Sequence, residues 1–354
     1  MIETIIAEVN DIISRDENVT LFRAVIEGVS YNCISYNELC GEISLLDTVV
    51  LNTTAISLGL GSGGYHLAIA SLGRRKYSNI QNGHIMKLRY TPMQINVMAA
   101  EAQESKWHRV FDKFESLEGM PVVVGTLHSM VAPAALSLKY IAGKNRLAYI
   151  MTDGGALPIY ISETVKLLKE MNVLTKTITY GNAFGGDIEC INIYTALIAA
   201  KEILKSEAAV VCMGPGIAGT GTKYGFSGIE QGQILDAVNN LGGKAIAIPR
   251  VSFKETRERH FGLSHHSRTI LGNICLTRAS IAMPVLDQEK NELLYRQLEE
   301  NSISSKHDIY FFKTDAVEKL LDNDLFPYDK MGTGYSEDRE YFNTCGLSAL
   351  LAIN

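Results

Sequence analysis

Residues 214–225, Gly214-Pro215-Gly216-Ile217-Ala218-Gly219-Thr220-Gly221-Thr222-Lys223-Tyr224-Gly225, carry five glycines in twelve positions. Glycine at that density lets a backbone turn several N–H groups toward one point. Thr220, Thr222 and Lys223 add donors, so the segment suits a phosphate or another anion. Gly214, Gly216 and Gly219 match GxGxxG literally. The next helix, however, is expected near Ser227, too late for a dinucleotide turn, and Arg250 stands after the following strand in place of an acidic residue. An arginine there can still receive a ribose phosphate. A second match at Gly59, Gly61 and Gly64 leads into the strand-like YHLAIAS and reads as a glycine-rich hairpin or barrel turn. A Walker A loop is excluded, because Lys223 follows Thr222 and not the required glycine.

Three further loops carry reactive side chains. Thr126-Leu127-His128-Ser129 offers an imidazole for proton transfer, with Ser129 beside it. Asp153, followed by Gly154 and Gly155, can hold a divalent metal, grip a ribose hydroxyl or act as base or nucleophile; it also reads as a turn-former. Residues 181–187 bring Asn182 as a polar contact and Asp187, which reads as a helix cap. Past the fifth expected strand, Lys254–Arg268 packs three of the eight histidines and four cations into fifteen residues. Arg257 and Arg259 offer forked donors for phosphate or carboxylate, and His260, His265 and His266 are metal-ligand types. Their spacing fits no zinc signature. Asp153 and these three histidines are the metal candidates. Cys190 and Cys212 fall in apolar patterns and read as core thiols. Residues 331–338, MGTGYSED, make another glycine turn that packing alone explains.

The elements that position these groups divide the chain. From Val19 to Ser71 the apolar residues form short β-rich runs separated by turns, as in Val19, Leu21, Arg23 and Val25 with a period near two. Residues 1–85 are expected to form a small antiparallel β-barrel or sandwich. Thr91-Pro92-Met93-Gln94 has the pattern of a helix start, so 86–118 is expected to be a connector helix region. From Pro121 strand and helix patterns alternate: PVVVG, LAYIMT, VLTKTITYG, AAVVCMG and KAIAIP precede helical stretches, and SIAMPVL and DIYFFKT extend the series. Strands that are apolar throughout are buried on both faces. Residues 119–354 are therefore expected to form a Rossmann-like, doubly wound, mostly parallel sheet. The four loops then leave the C-terminal ends of the strands, where ligands of such sheets bind.

Composition narrows the classes. The 354 residues are 46% hydrophobic and 20% charged, which excludes a disordered chain. A net charge of −6 gives no whole-chain reason to bind nucleic acid. No apolar run reaches a membrane span. The start lacks a basic leader, and six cysteines without a CxxC pair read as thiols of a reducing compartment, so a cytoplasmic location is expected.

The stretches LNTTAISLGLGSGGYH, KLRYTPMQ, GTLHSMVAPAALSLK, MTDGGALPI, GPGIAGTGTKYGFSG, HHSRT and MGTGYSED resemble an uncharacterised bacterial protein family of unknown function across almost the full length. The resemblance implies a cytoplasmic protein and brings no active residues with it. From the residues themselves, the expectation is a hydrolase or transferase rather than a redox enzyme. It acts on a phosphorylated or carboxylated small molecule, such as a nucleotide; no cofactor is identified, a divalent metal and a phosphate-containing ligand being the candidates. Two other readings stand beside it: a non-catalytic ligand-binding or regulatory protein, and a metal-dependent hydrolase using His128, Asp153 and the histidines. The expected partners are an anionic small molecule and a second copy in a homodimer, with no nucleic acid and no membrane.

Overall fold

A computed structural model describes residues 2–61, 63–73, 78–80, 82–323, 326–328 and 332–353. It falls into two compact units, residues 1–97 and 98–354. In the first, strands β1 (Thr4–Arg15), β2 (Val19–Ile26), β3 (Val29–Tyr36), β4 (Thr48–Asn52) and β5 (His66–Ser71) close into a barrel in the order β1-β2-β3-β5-β4. All pairs are antiparallel except β3 with β5, where Cys33 and Ile34 lie beside His66 and Leu67 in parallel. The inward face of β2 is Thr20, Phe22 and Ala24, one residue out of phase with the apolar alternation Val19, Leu21, Val25; Val25 is 37% exposed. With a period of two, one step of phase exchanges the faces. The barrel is filled by Phe22, Ala24, Val9, Cys33, Val49 and Leu51.

The expected connector helix is not formed. Thr91 instead closes a turn, its hydroxyl donating to the Leu88 carbonyl at 2.7 Å. Ile95 and Val97 then pair with Lys87 and Ile85 in an antiparallel hairpin of β6 (Ile85–Lys87) and β7 (Ile95–Val97). β-Branched residues fit that ladder, and pairing overrides the capping pattern. The first helix of the second unit is the short His108–Asp112.

The second unit is built on eight parallel strands: β8 (Pro121–Val124), β9 (Leu147–Thr152), β10 (Lys176–Tyr180), β11 (Ile188–Cys190), β12 (Ala208–Met213), β13 (Lys244–Ala247), β16 (Ser280–Pro284) and β17 (Asp308–Phe312). Between β13 and β16 lies a two-residue hairpin of β14 (Val251–Ser252) and β15 (Gly262–Leu263). The sheet order is β11-β10-β9-β12-β8-β13-β16-β17. Successive residues of each strand face opposite cores. Leu147, Tyr149, Met151, Val210 and Cys212 pack with the helices Val131–Tyr140 and Arg339–Leu347. Ala148, Ile150, Ala209 and Val211 pack with Ala196–Ala200 and the helix Glu230–Asn240. Strands β8, β9 and β12 are buried throughout, which explains their unbroken apolar runs. After β10 the stretch IECINIYTALIAA is not helical from its start: IEC is the edge strand β11, and the helix begins at Ile193 under an Asn192 cap.

The chain leaves β8 toward β9 on one side of the sheet and leaves β12 toward β13 on the other. Strands β8 and β12 are neighbours, with Val210 beside Val123. The connections after them diverge, and that is where an open parallel sheet forms a crevice beyond its strand ends. All six cysteines are buried. Among the described residues no helix is long and apolar enough to cross a membrane.

Candidate functional site

Because the sheet is parallel, the connections after β8, β9, β10 and β12 leave one edge, and they carry His128, Asp153, Asn182 and Thr220 respectively. His128 opens a short turn, His128–Met130, directly after β8. Its Nε2 lies 2.6 Å from the Ser162 hydroxyl and its Nδ1 3.3 Å from the Met213 carbonyl. Burial pushes its pKa down to about 4, against the hydrogen bond to Met213, which acts the other way. A neutral ring protonated on Nδ1 satisfies both contacts. Ser162 also accepts from the Val165 N–H at 3.0 Å and so caps the helix Glu163–Glu170. His128 thereby pins that helix start to the end of β12. Its neighbour Ser129 lies 2.7 Å from the Tyr341 hydroxyl.

A second group forms where β9 and β10 end. The Asn182 backbone N–H donates to Asp153 Oδ1 at 2.8 Å, and its amide lies 3.3 Å from Oδ2. Gly181 is required there: at φ +64° a Cβ would sit 2.5 Å from the same carboxylate. Thr152 donates a short hydrogen bond to Glu230, the first residue of the helix Glu230–Asn240. Burial raises the Glu230 pKa, the Thr152 bond opposes this, and the nearby Asp153 charge raises it further. A Cβ on Gly154 would lie 3.4 Å from Glu230 Oε1, so the glycine turn after Asp153 runs against that carboxyl. Two carboxyls near one strand edge, that of Glu230 with its pKa raised by burial, are the ingredients of acid–base chemistry. Asp187 is not a helix cap. It precedes β11 and ties Thr177, Lys169 and Lys176 together, which outweighs burial and lowers its pKa to about 2.

The glycine-rich connection after β12 folds into a small hairpin of its own. Gly219 bridges Phe226, the Thr220 N–H donates to the Gly225 carbonyl at 2.8 Å, and the Thr220 and Thr222 hydroxyls meet at 2.9 Å. Gly216 and Gly221 adopt φ +97° and +78°. Gly214, by contrast, is buried, and a Cβ there would lie 3.0 Å from Leu157 and Met151. Thr220, Gly221, Thr222 and Lys223 are exposed at the tip. Gly155, exposed in the turn after β9, lies against Leu157.

The histidine-rich segment packs on this loop. Phe226 stacks on His266 at 3.9 Å, and the Arg259 guanidinium lies about 3.8 Å from where a Gly221 Cβ would be. Arg257 is instead paired with Glu255 at 3.0 Å, and Glu255 also binds the buried Arg250. His260, His265 and His266 cluster tightly, and Asp153 is not part of that group. Of the four metal candidates, the three histidines lie together and Asp153 lies apart. Of the glycine turn at 331–338, Met331 lies outside the described residues; Asp338 accepts from Ser252 at 2.7 Å. A separate cleft of about 700 Å³ between Phe253, Phe261 and the helix Gln288–Glu300 is lined by five carboxylates and three cations, a poor match to an anion.

Glu230 and Ser162 escaped sequence reasoning as site groups. An acid in the first turn of a helix ordinarily answers the helix dipole, and a serine before ETVKLL ordinarily caps. Only the meeting of distant strand ends gives them their neighbours.

A protein-family model described as "Protein of unknown function (DUF3866)" matches residues 32–349. None of the curated proteins matches the chain.

Proposed function

Because the chain belongs to DUF3866, a family of unknown function, we propose its role from geometry: an enzyme that binds a phosphorylated or carboxylated small molecule at the C-terminal strand edge, beside the β8–β12 crevice. The observation that carries this reading is Arg259. Its guanidinium lies against the exposed tip of the glycine-rich loop, at Gly221 between Thr220 and Thr222, and no partner for it is found among the described residues. A forked cation over exposed amides and hydroxyls is suited to an oxyanion. Asp153 and Glu230 are the acid–base pair in this reading, and hydrolysis or group transfer is the reaction class. His128, with both ring nitrogens bonded, holds the helix start at Ser162 instead of moving a proton.

Calorimetry and thermal-shift titrations with inorganic phosphate and with nucleoside mono- and triphosphates test the binding. A charge-assisted hydrogen bond contributes about 1.5–3 kcal/mol, so Arg259→Ala should weaken binding about 10- to 100-fold. Turnover on a panel of phosphate and carboxylate esters should be lost in Asp153→Asn while binding persists. If no phosphorylated or carboxylated compound shifts the melting temperature at millimolar concentration, or if Arg259→Ala binds as well as the parent, the reading falls.

A further inference from the structure

Three imidazoles converge where the segment after β13 folds back on itself. His260 closes the turn Glu258–His260, and His265 and His266 open the helix His265–Thr269. One ring nitrogen from each lies within 4.8 Å of the other two. The ring centroids are 4.7 Å apart for His260 and His265, 5.0 Å for His260 and His266, and 4.3 Å for His265 and His266. Core packing does not account for the polar atoms in this cluster. Nε2 of His265 and Nδ1 of His266 are buried with no hydrogen-bond partner among the described residues, and His266 is 8% exposed. A buried polar atom left in that state costs about 1–3 kcal/mol. Two in one cluster of ligand-type residues call for a ligand.

The geometry points to a transition-metal site in which His260, His265 and His266 supply three imidazole nitrogens and an anion fills the fourth position. It goes beyond the anion-binding reading above and has its own test. The surroundings support it. His260 Nδ1 lies 2.7 Å from the Ser264 hydroxyl, which orients the ring and leaves Nε2 for a metal. The same hydroxyl accepts from the His266 N–H and fixes the first turn of the helix that carries the other two rings. Phe226, at the end of the glycine-rich loop, stacks on His266 with an interplanar angle of 11°.

A set made only of imidazole selects Zn²⁺, Co²⁺, Ni²⁺ or Cu²⁺ over Mg²⁺ and Ca²⁺. Three protein ligands plus one open position are the pattern of a zinc ion that receives a small molecule. Arg250, Arg257, Arg259 and Arg268 all act on these histidines electrostatically and oppose a bare dication, and Glu255 acts on His260 in the opposite sense. Metal and anion are therefore expected to strengthen each other, because an anion on the metal offsets the arginine charge.

The test uses the full chain stripped of metal with a chelator. Equilibrium dialysis against Zn²⁺ should show about one equivalent taken up. Titration with Co²⁺ should give the intense visible absorption of a tetrahedral ion, and Mg²⁺ should not compete. His260→Ala and the half-buried His265→Asn, each checked for native circular dichroism, should abolish the Co²⁺ spectrum, and Ser264→Ala should weaken uptake about 10- to 100-fold. Added inorganic phosphate should tighten Co²⁺ in the parent and do so less in Arg259→Ala. Failure of the parent to take up Zn²⁺ or Co²⁺, or equal uptake by the folded histidine variants, overturns the site. Phosphate binding to the metal-free protein is measured separately, so loss of the metal site and loss of the anion reading give different results.

Discussion

Glu230 shows how much one carboxyl depends on its address. Burial raises its pKa above the ordinary 4.5, the Thr152 hydrogen bond pulls the other way, and Asp153 adds to the rise. A folded pKa above the unfolded one means the native state keeps its proton longer. The stability tied to that proton is complete below the unfolded pKa and is lost as pH rises through the folded one. Glu230→Gln removes the titration and keeps an acceptor for Thr152. Melting temperatures measured from about pH 4 to 8 should show the variant gaining on the parent as pH rises; a constant difference would show that Glu230 does not titrate in this way. Residue types at this scale were legible: Asp153, Asn182 and Arg259 could be read from their loops. Their neighbours could not. Glu230 lies 78 positions beyond Thr152 and Ser162 lies 34 beyond His128, and no local spacing encodes such meetings.

Among the elements, one close helix contact is made by an absent side chain. Gly346, in the helix Arg339–Leu347, has no room for a methyl group: a Cβ would come within 2.5 Å of Val317 Cγ1 and 2.7 Å of Ser137 Oγ. Those atoms belong to the helices Asp315–Leu321 and Val131–Tyr140, so three helices touch at one backbone position. Gly346→Ala should cost about 1–3 kcal/mol in denaturant unfolding, the usual penalty for overfilling a packed site. Gly219→Ala, where a Cβ meets only an ordinary 3.7 Å contact with Phe226, should stay within about 0.5 kcal/mol of the parent. An equal cost at the two positions would refute the packing argument. The parallel strands were readable because β8, β9 and β12 are buried on both sides and so carry no polar interruption. The hairpin of Ile85–Lys87 with Ile95–Val97 was not, since Thr91-Pro92 serves a turn as well as a helix start and only the partner strand decides between them. The phase of β2 was misleading for a related reason: Thr20 and Ala24 face inward beside Phe22, while the more hydrophobic Val25 faces out.

At the scale of the molecule, the three buried cores respect the division of the chain. The two that flank the sheet draw on residues from Ala100 to Ala352, and the barrel core draws on Ala7 to Ala68. A fragment of residues 98–354 should therefore unfold in a single cooperative transition when melted alone, monitored by circular dichroism. A broad, non-cooperative melt would show that the sheet needs the first 97 residues. Strand order carries a further consequence for how the protein comes into being. Strand β12 occupies the place between β9 and β8, and the chain reaches it last of the three. A growing polypeptide that has released residues 121–190 holds a vacancy between β9 and β8, bordered by two apolar strands whose hydrogen-bonding edges await residues 208–213. Until that insertion the nascent chain is at its most adhesive, so the interval of synthesis between Cys190 and Met213 is when it would most need a chaperone's cover.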